Sequence, residues 1–186
     1  MATTGSKSQT AVRDRDLTGR VALITGGTRG IGAAICHALA ADGATVAAGY
    51  SSNQARADEL RQAVETEGGT CTLHQGNIGQ ANSAASKSGL FGLTKTLARE
   101  AAFSLRMAGK LEKGIGVTVN CIAAGLTETD MVSTIPPYLF AELVERIPMH
   151  RAGHPEEIAR VVAFLAQDAS GYITGQIWDV DGGMNM

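Results

Sequence analysis

The chain has 186 residues, of which 44% are hydrophobic and 18% charged, enough apolar material for one globular domain with a sizeable core. A net charge of -2 gives no electrostatic basis for binding nucleic acid or an anionic membrane surface. No run approaches the ~20 apolar residues that a membrane span requires.

Residues 1–16 are polar and lack an apolar stretch, so they read as a disordered tail rather than a signal peptide, ahead of a single domain over 17–186. Val21 to Thr25 is a short β-rich run between Gly19 and Gly26. It does not alternate, which predicts a strand buried on both faces. Ile31, Ala34, Ile35, Ala38 and Leu39 then recur at helical spacing, and Gly43 marks the stop. A second buried strand is expected over Ala44 to Gly49, a polar helix over Gln54 to Glu67 ended by Gly68-Gly69, and a third strand over Thr70 to His74. Strand-helix-strand-helix-strand is the first half of a doubly wound parallel sheet.

A long helix follows from about Ala84 to Leu111, with Leu90, Leu93, Leu97, Ala101, Leu105 and Ala108 as its apolar stripe. Ile115 to Ile122 reads as a strand, and Leu126 to Ile147 as a loop with a short helix at Pro136-Pro137. Within it, Pro136 to Ile147 is a candidate substrate lid, with a small helix packed through Leu139, Phe140, Leu143 and Val144 as the alternative. Pro155, Glu156 and Glu157 open another helix whose buried face is Ile158, Val161, Val162 and Leu165. Ile173 to Val180 is the last strand, with Trp178 expected in the core. Cys36, Cys71 and Cys121 form no C-x-x-C pair and each sits in an apolar run, so three buried free thiols in the cytoplasm are expected. His37, His74, His150 and His154 show no ligand spacing, so no metal site is expected.

The chemistry concentrates between the first strand and first helix. Gly26, Gly30 and Gly32 are spaced G-x-x-x-G-x-G, with Thr28, Arg29 and Ile31 between them. Gly26 permits a tight turn, Gly30 lets backbone approach a pyrophosphate, and Gly32 lets the helix pack closely. The amides and dipole of the helix N-terminus favour the anion. A structural turn with incidental glycines is the plainer alternative, but the setting between strand and amphipathic helix favours a dinucleotide site. NAD enzymes tend to carry an acid at the end of the second strand. Here that place reads Gly49-Tyr50-Ser51-Ser52-Asn53, and Arg29 and Arg56 lie within reach of a 2′-phosphate. NADP(H) is the expected cofactor, unless the two arginines are simply solvated.

Thr25 to Gly32, Ser86-Lys87-Ser88-Gly89-Leu90-Phe91-Gly92-Leu93-Thr94, Leu126-Thr127-Glu128-Thr129-Asp130-Met131 and Val180-Asp181-Gly182-Gly183 together make the chain resemble a short-chain dehydrogenase/reductase. Within that family it is most similar to the acetoacetyl-CoA and 3-oxoacyl-carrier-protein reductases, from Leu17 to nearly the C-terminus. The resemblance implies a Rossmann-like doubly wound parallel sheet, NADPH-dependent reduction of a 3-oxoacyl thioester, and a homo-oligomer, tetramer or dimer, built on the long helix and the last strand. It also implies that Asn77 and Ile78 meet adenine, that Thr127 and Thr129 bracket the nicotinamide and phosphates, and that Ser51 and Gly125 belong to the cofactor site. A post-strand turn at Asn77 and local turn formers at Thr127 and Thr129 remain the plainer readings.

Two departures bear on activity. The family's Y-x-x-x-K places an acid tyrosine one helical turn before a lysine, on one helix face. Lys87 matches the lysine, but Ser83 stands at the tyrosine position. Tyr50, Tyr138 and Tyr172 are followed four residues on by Gln54, Glu142 and Gln176, so none restores the motif. An alkanol lacks the reach and the pKa of roughly 10 that a phenol brings. Losing a general acid typically costs about 10²–10⁴ in rate, so turnover is expected to be very low. The second departure is a shortfall near 76–83. Relatives carry several tens of residues there, supplying two central strands, an Asn-Asn-Ala-Gly motif, the relay asparagine and the catalytic serine. An in-frame deletion, or a sequence joined across an absent segment, accounts for it. The first strand then needs a new neighbour, and direct pairing with the strand of Ile115 to Ile122 is expected, since an unpaired buried edge is costly. Ala124 replaces the family's proline before Gly125. A catalytically inactive nucleotide-binding or assembly subunit, or a truncated product that binds nothing well, are the competing functions.

Overall fold

A computed structural model of the chain describes residues 16–75, 83–110 and 116–185, the side chains of 83–88 excepted. The tail expected over 1–16 falls outside these residues apart from Asp16.

The N-terminal half folds in the expected order: β1 (Val21–Ile24), α1 (Gly30–Ala41), β2 (Thr45–Tyr50), α2 (Gln54–Thr66) and β3 (Thr70–Gln75). The strands are parallel in the order β1-β2-β3, with Val21 beside Thr45 and Thr45 beside Thr70. Local chemistry sets the ends. Gly43 takes φ +96° and its amide returns to the Ala40 carbonyl at 3.0 Å, closing α1. Asn53 caps α2 by accepting the Arg56 amide at 3.0 Å. The core lies between this sheet and the helices, where Cys36, Val46, Ala48 and Val64 are fully enclosed beside Leu39, Leu60 and Cys71. Burying an aliphatic side chain such as Leu60 contributes about 1.5–3 kcal/mol.

The remainder comprises α3 (Ser83–Met107), β4 (Cys121–Ala124), α4 (Pro137–Glu145), α5 (Pro155–Ala166) and β5 (Ile177–Val180), with single 3₁₀ turns at Val132–Thr134 and Asp168–Ser170. β4 and β5 are parallel, Cys121 beside Ile177. Both are shorter than expected. Before them, Asn120 Nδ2 donates to the Ile173 carbonyl at 2.8 Å and the Thr174 hydroxyl accepts the Val119 amide at 3.0 Å. These side-chain bonds, together with the Gly175 amide donating to the Val119 carbonyl at 2.7 Å, join the segments where the ladder is not regular, and Gly175 bends the second one at φ +71°. Pro155 opens α5 as expected, and the Glu157 carboxylate accepts the His154 amide at 2.8 Å.

Closure of the sheet does not follow the expectation. β1 makes no ladder with β4: the described strands form a three-stranded and a two-stranded sheet. The two are joined by helix packing, α1 against α5, with Ala163 entering the core beside α1. Ion pairs Arg20–Asp168 and Arg56–Asp130 span the same divide. Because helix packing makes the join, the outer edge of β1 is left open. Val21 and Leu23 share the other face of β1 from Ala22 and Ile24, which α1 covers, and among the described residues nothing packs over theirs; they are 74% and 71% exposed, correcting the expectation of a strand buried on both faces. The same opening corrects α3, which touches the sheet chiefly at β4. Among its described side chains Thr94 and Ala98 are buried, while Leu90, Leu93 and Leu97 are exposed. Cys121, on the open-edged β4, is only half-buried, unlike Cys36 and Cys71. Trp178 is likewise half-buried, edge-on to Phe164 with ring centroids 6.1 Å apart.

Candidate functional site

The turn from β1 to α1 is made by glycines whose constraints are visible. Gly26 has φ +64° and Gly30 φ +52°, both in the left-handed region that glycine occupies freely. The Gly27 amide donates to the Gly49 carbonyl at 2.9 Å, tying the turn to β2. A Cβ on Gly32 would lie 2.2 Å from the Gly26 carbonyl oxygen, so the third glycine lets α1 pack onto the turn itself. A Cβ on Gly30 would come 3.0 Å from the Thr129 methyl. Arg29 occupies the N-cap of α1 in extended conformation and no side chain caps the helix. The first-turn amides of a helix need an acceptor, and here a bound anion can supply it.

Beside this turn is a recess of about 240 Å³, lined by Gly26, Thr28, Arg29, the run Tyr50 to Asn53, Arg56 and Asp130. Five of the expected residues, Gly26, Thr28, Arg29, Ser51 and Arg56, meet there. The N-terminus of α2 opens on the same recess, so two arginines and a helix dipole give it a chemistry suited to an anion. The Tyr50 hydroxyl donates to Gln54 Oε1, and Gln75 Nε2 donates to the Ser51 carbonyl at 3.2 Å, which fixes the floor.

Other expected residues lie elsewhere. Ile31 sits in the first turn of α1. Gly125 lies against Asp181, 2.6 Å from that Cα if it carried a Cβ, and so serves the β4–β5 packing. Thr127 is buried, its hydroxyl donating to the Gly125 carbonyl at 3.0 Å, which is the local turn-forming arrangement. Thr129 touches the glycine turn and also lines a mostly apolar hollow of about 390 Å³ with Val132, Ile135 and Phe140. Ser83 and Lys87 lie one turn apart at the start of α3, the helix that packs on β4. Asn77 and Ile78 fall outside the described residues.

The residue that sequence reasoning missed is Asp130. Its Oδ2 lies 3.6 Å from Arg56 Nη2, so a carboxylate does reach the recess, delivered by the loop after β4 and not by the end of β2. The word Leu126 to Met131 contained it, but nothing local showed where its side chain would lie. Among titrating groups, burial pushes the Cys36 thiol up to about 12, and burial also raises Cys71. The Glu157 carboxyl is held down to about 2, chiefly by the Arg151 guanidinium, which donates to both its oxygens at 2.7 Å.

Residues 20–84 match the family model described as short chain dehydrogenase, and residues 71–185 the one described as enoyl-(acyl carrier protein) reductase. An acetoacetyl-CoA reductase from Rhizobium meliloti is 31% identical over 246 aligned residues, covering 88% of this chain and 98% of that protein. That alignment is longer than the chain, so part of the relative faces no residue here. A 3-oxoacyl-(acyl-carrier-protein) reductase from Thermotoga maritima is 44% identical over 109 residues, and the matched part spans 40% of its length and 59% of this chain. Among solved structures, a short-chain dehydrogenase/reductase from Serratia marcescens is similar with TM-score 0.77 and 25% identity, over 91% of this chain and 99% of that one. An Agrobacterium tumefaciens protein solved with bound NADP matches with TM-score 0.75 and 26% identity, over 93% and 99%. The chain belongs to the short-chain dehydrogenase/reductase family.

Proposed function

We propose that this chain binds NADP(H) at the glycine turn and the adjoining recess, and that its reaction type is reduction of a 3-oxoacyl thioester resembling acetoacetyl-CoA, with very low turnover. The observation that carries the cofactor half is the recess itself, where Arg29, Arg56 and the N-terminus of α2 face one space and the end of β2 contributes no acid. The relatives named above supply the substrate class. NADPH, when bound, supplies the hydride. The chain's own residues bind the phosphates through the α1 amides and the two arginines, and would orient the nicotinamide ribose through Lys87. Ser83 stands where the proton donor is needed. Its alkanol is a far poorer acid than a phenol beside a lysine, and this, with the shortfall near 76–83 that removes the family's catalytic serine and relay asparagine, is the reason for the low turnover. The cytoplasmic, homo-oligomeric setting belongs to the same proposal.

The second reading, an inactive nucleotide-binding or assembly subunit, is favoured by the exposed face of β1 that carries Val21 and Leu23. Substituting Ser83→Tyr decides between them. On the first reading, NADPH oxidation with acetoacetyl-CoA rises by about 10²-fold or more, the range a restored general acid supplies. A Ser83→Tyr variant that binds NADPH but turns over no faster than the unaltered chain supports the second.

A further inference from the structure

We propose that Asp130 is a positioning residue that sets the preference between phosphorylated and unphosphorylated nicotinamide nucleotides, by competing for Arg56. The inference rests on the cofactor reading above and goes beyond it, because it concerns a carboxylate from a separate loop. Among the described residues, Asp130 is the one acidic residue lining the recess. Its Oδ2 stands 3.6 Å from Arg56 Nη2, with both side chains more than half exposed, at 61% and 53%. Its loop is locally ordered, the Asp130 carbonyl accepting the Ser133 hydroxyl at 2.8 Å, and the adjacent Thr129 methyl lies close enough to Gly30 that a Cβ there would come within 3.0 Å of it. The loop is thus held against the glycine turn, and the carboxylate is presented to the guanidinium.

A carboxylate and a phosphate monoester seek the same donors on an arginine. In the nucleotide-free chain Asp130 is the carboxylate paired with Arg56, at 3.6 Å. A 2′-phosphate must displace that carboxylate and then tolerate its negative charge nearby. A 2′-hydroxyl meets no such opposition and can donate to Asp130. The chain therefore discriminates less sharply between the two nucleotides than its two arginines alone would make it. The effect is modest, because the pair is solvent-exposed and screened by salt.

The test is fluorescence titration of NADPH and NADH at low ionic strength against the unaltered chain, Asp130→Asn, Asp130→Glu, Arg56→Gln and the Arg56→Gln/Asp130→Asn double variant. Asp130→Asn is expected to tighten NADPH by about two- to five-fold, the scale of an exposed ion pair, without tightening NADH. Asp130→Glu keeps the original ratio, and in the Arg56→Gln background the gain from Asp130→Asn largely disappears. An unchanged NADPH-to-NADH ratio in Asp130→Asn, or an equal gain with and without Arg56, overturns the proposal while leaving the cofactor reading standing. Binding of neither nucleotide by the unaltered chain and Asp130→Asn overturns both.

Discussion

Gly32→Ala places a single methyl group at the point where α1 meets the glycine turn. The added Cβ would lie 2.2 Å from the Gly26 carbonyl oxygen, 2.9 Å from its carbon and 3.0 Å from the Gly27 Cα. All three are backbone atoms, so no rotamer change relieves the contact, and the turn and helix must separate by roughly 1 Å to restore a normal carbon–oxygen distance of about 3.2 Å or more. Alanine in a helix interior is otherwise favoured over glycine by about 1 kcal/mol, and overpacking costs typically 1–3 kcal/mol. Backbone contact this close belongs at the upper end of that range, leaving a net loss of about 1–2 kcal/mol. For a domain of this size that lowers Tm by roughly 2–8 °C. Gly92→Ala is the control: it lies in α3, has nothing within 4 Å of an added Cβ and needs no positive φ, so it should stabilise the chain by up to about 1 kcal/mol. Thermal unfolding followed by circular dichroism reads both variants, and titration reads the nucleotide site, where Gly32→Ala should also weaken NADPH by displacing the α1 amides. A Gly32→Ala chain as stable as Gly92→Ala would refute the packing argument.

The fork between Arg151 and Glu157 makes stability depend on pH. Because the folded chain holds the Glu157 carboxyl down to about 2, against 4.5 ordinarily, its contribution is complete above the higher value and is lost as pH falls toward the lower one. Urea unfolding at a series of pH values should therefore show a shallower loss in Glu157→Gln than in the unaltered chain across that window. Cys36, whose thiol is enclosed and pushed up to about 12, should stay unlabelled by a thiol reagent at pH 8 in the folded protein, whereas half-buried Cys121 should react first. Mass mapping of the labelled peptides reads the order.

Elements bounded by local chemistry were legible in the sequence. Gly43, Gly68 and Pro155 mark where helices stop or start regardless of what surrounds them, and β2 reads as buried because strands on both sides and helices over it make it so. Residues whose environment comes from distant chain were not legible. Val21 and Leu23 carry an interior strand's composition, yet they are exposed because, among the described residues, nothing packs over their face of β1. Leu90, Leu93 and Leu97 have helical periodicity, but periodicity names a face without naming what covers it. Within the site, Gly26, Arg29, Ser51 and Arg56 are brought together by one strand-turn-helix unit and its neighbour, which spacing reveals. Asp130 reaches them from a loop some seventy residues along the chain, through the packing of α5 on α1. Thr127 matched a family word, but its hydroxyl is engaged by the Gly125 carbonyl of its own turn.

Titration of the unaltered chain with NADPH, followed by energy transfer from its only tryptophan, Trp178, tests the central claim most directly. Saturable binding that is tighter than NADH, and that weakens when Arg29 and Arg56 are both replaced by glutamine, is the predicted result. Binding of NADH in preference to NADPH, or no saturable binding of either, would contradict it.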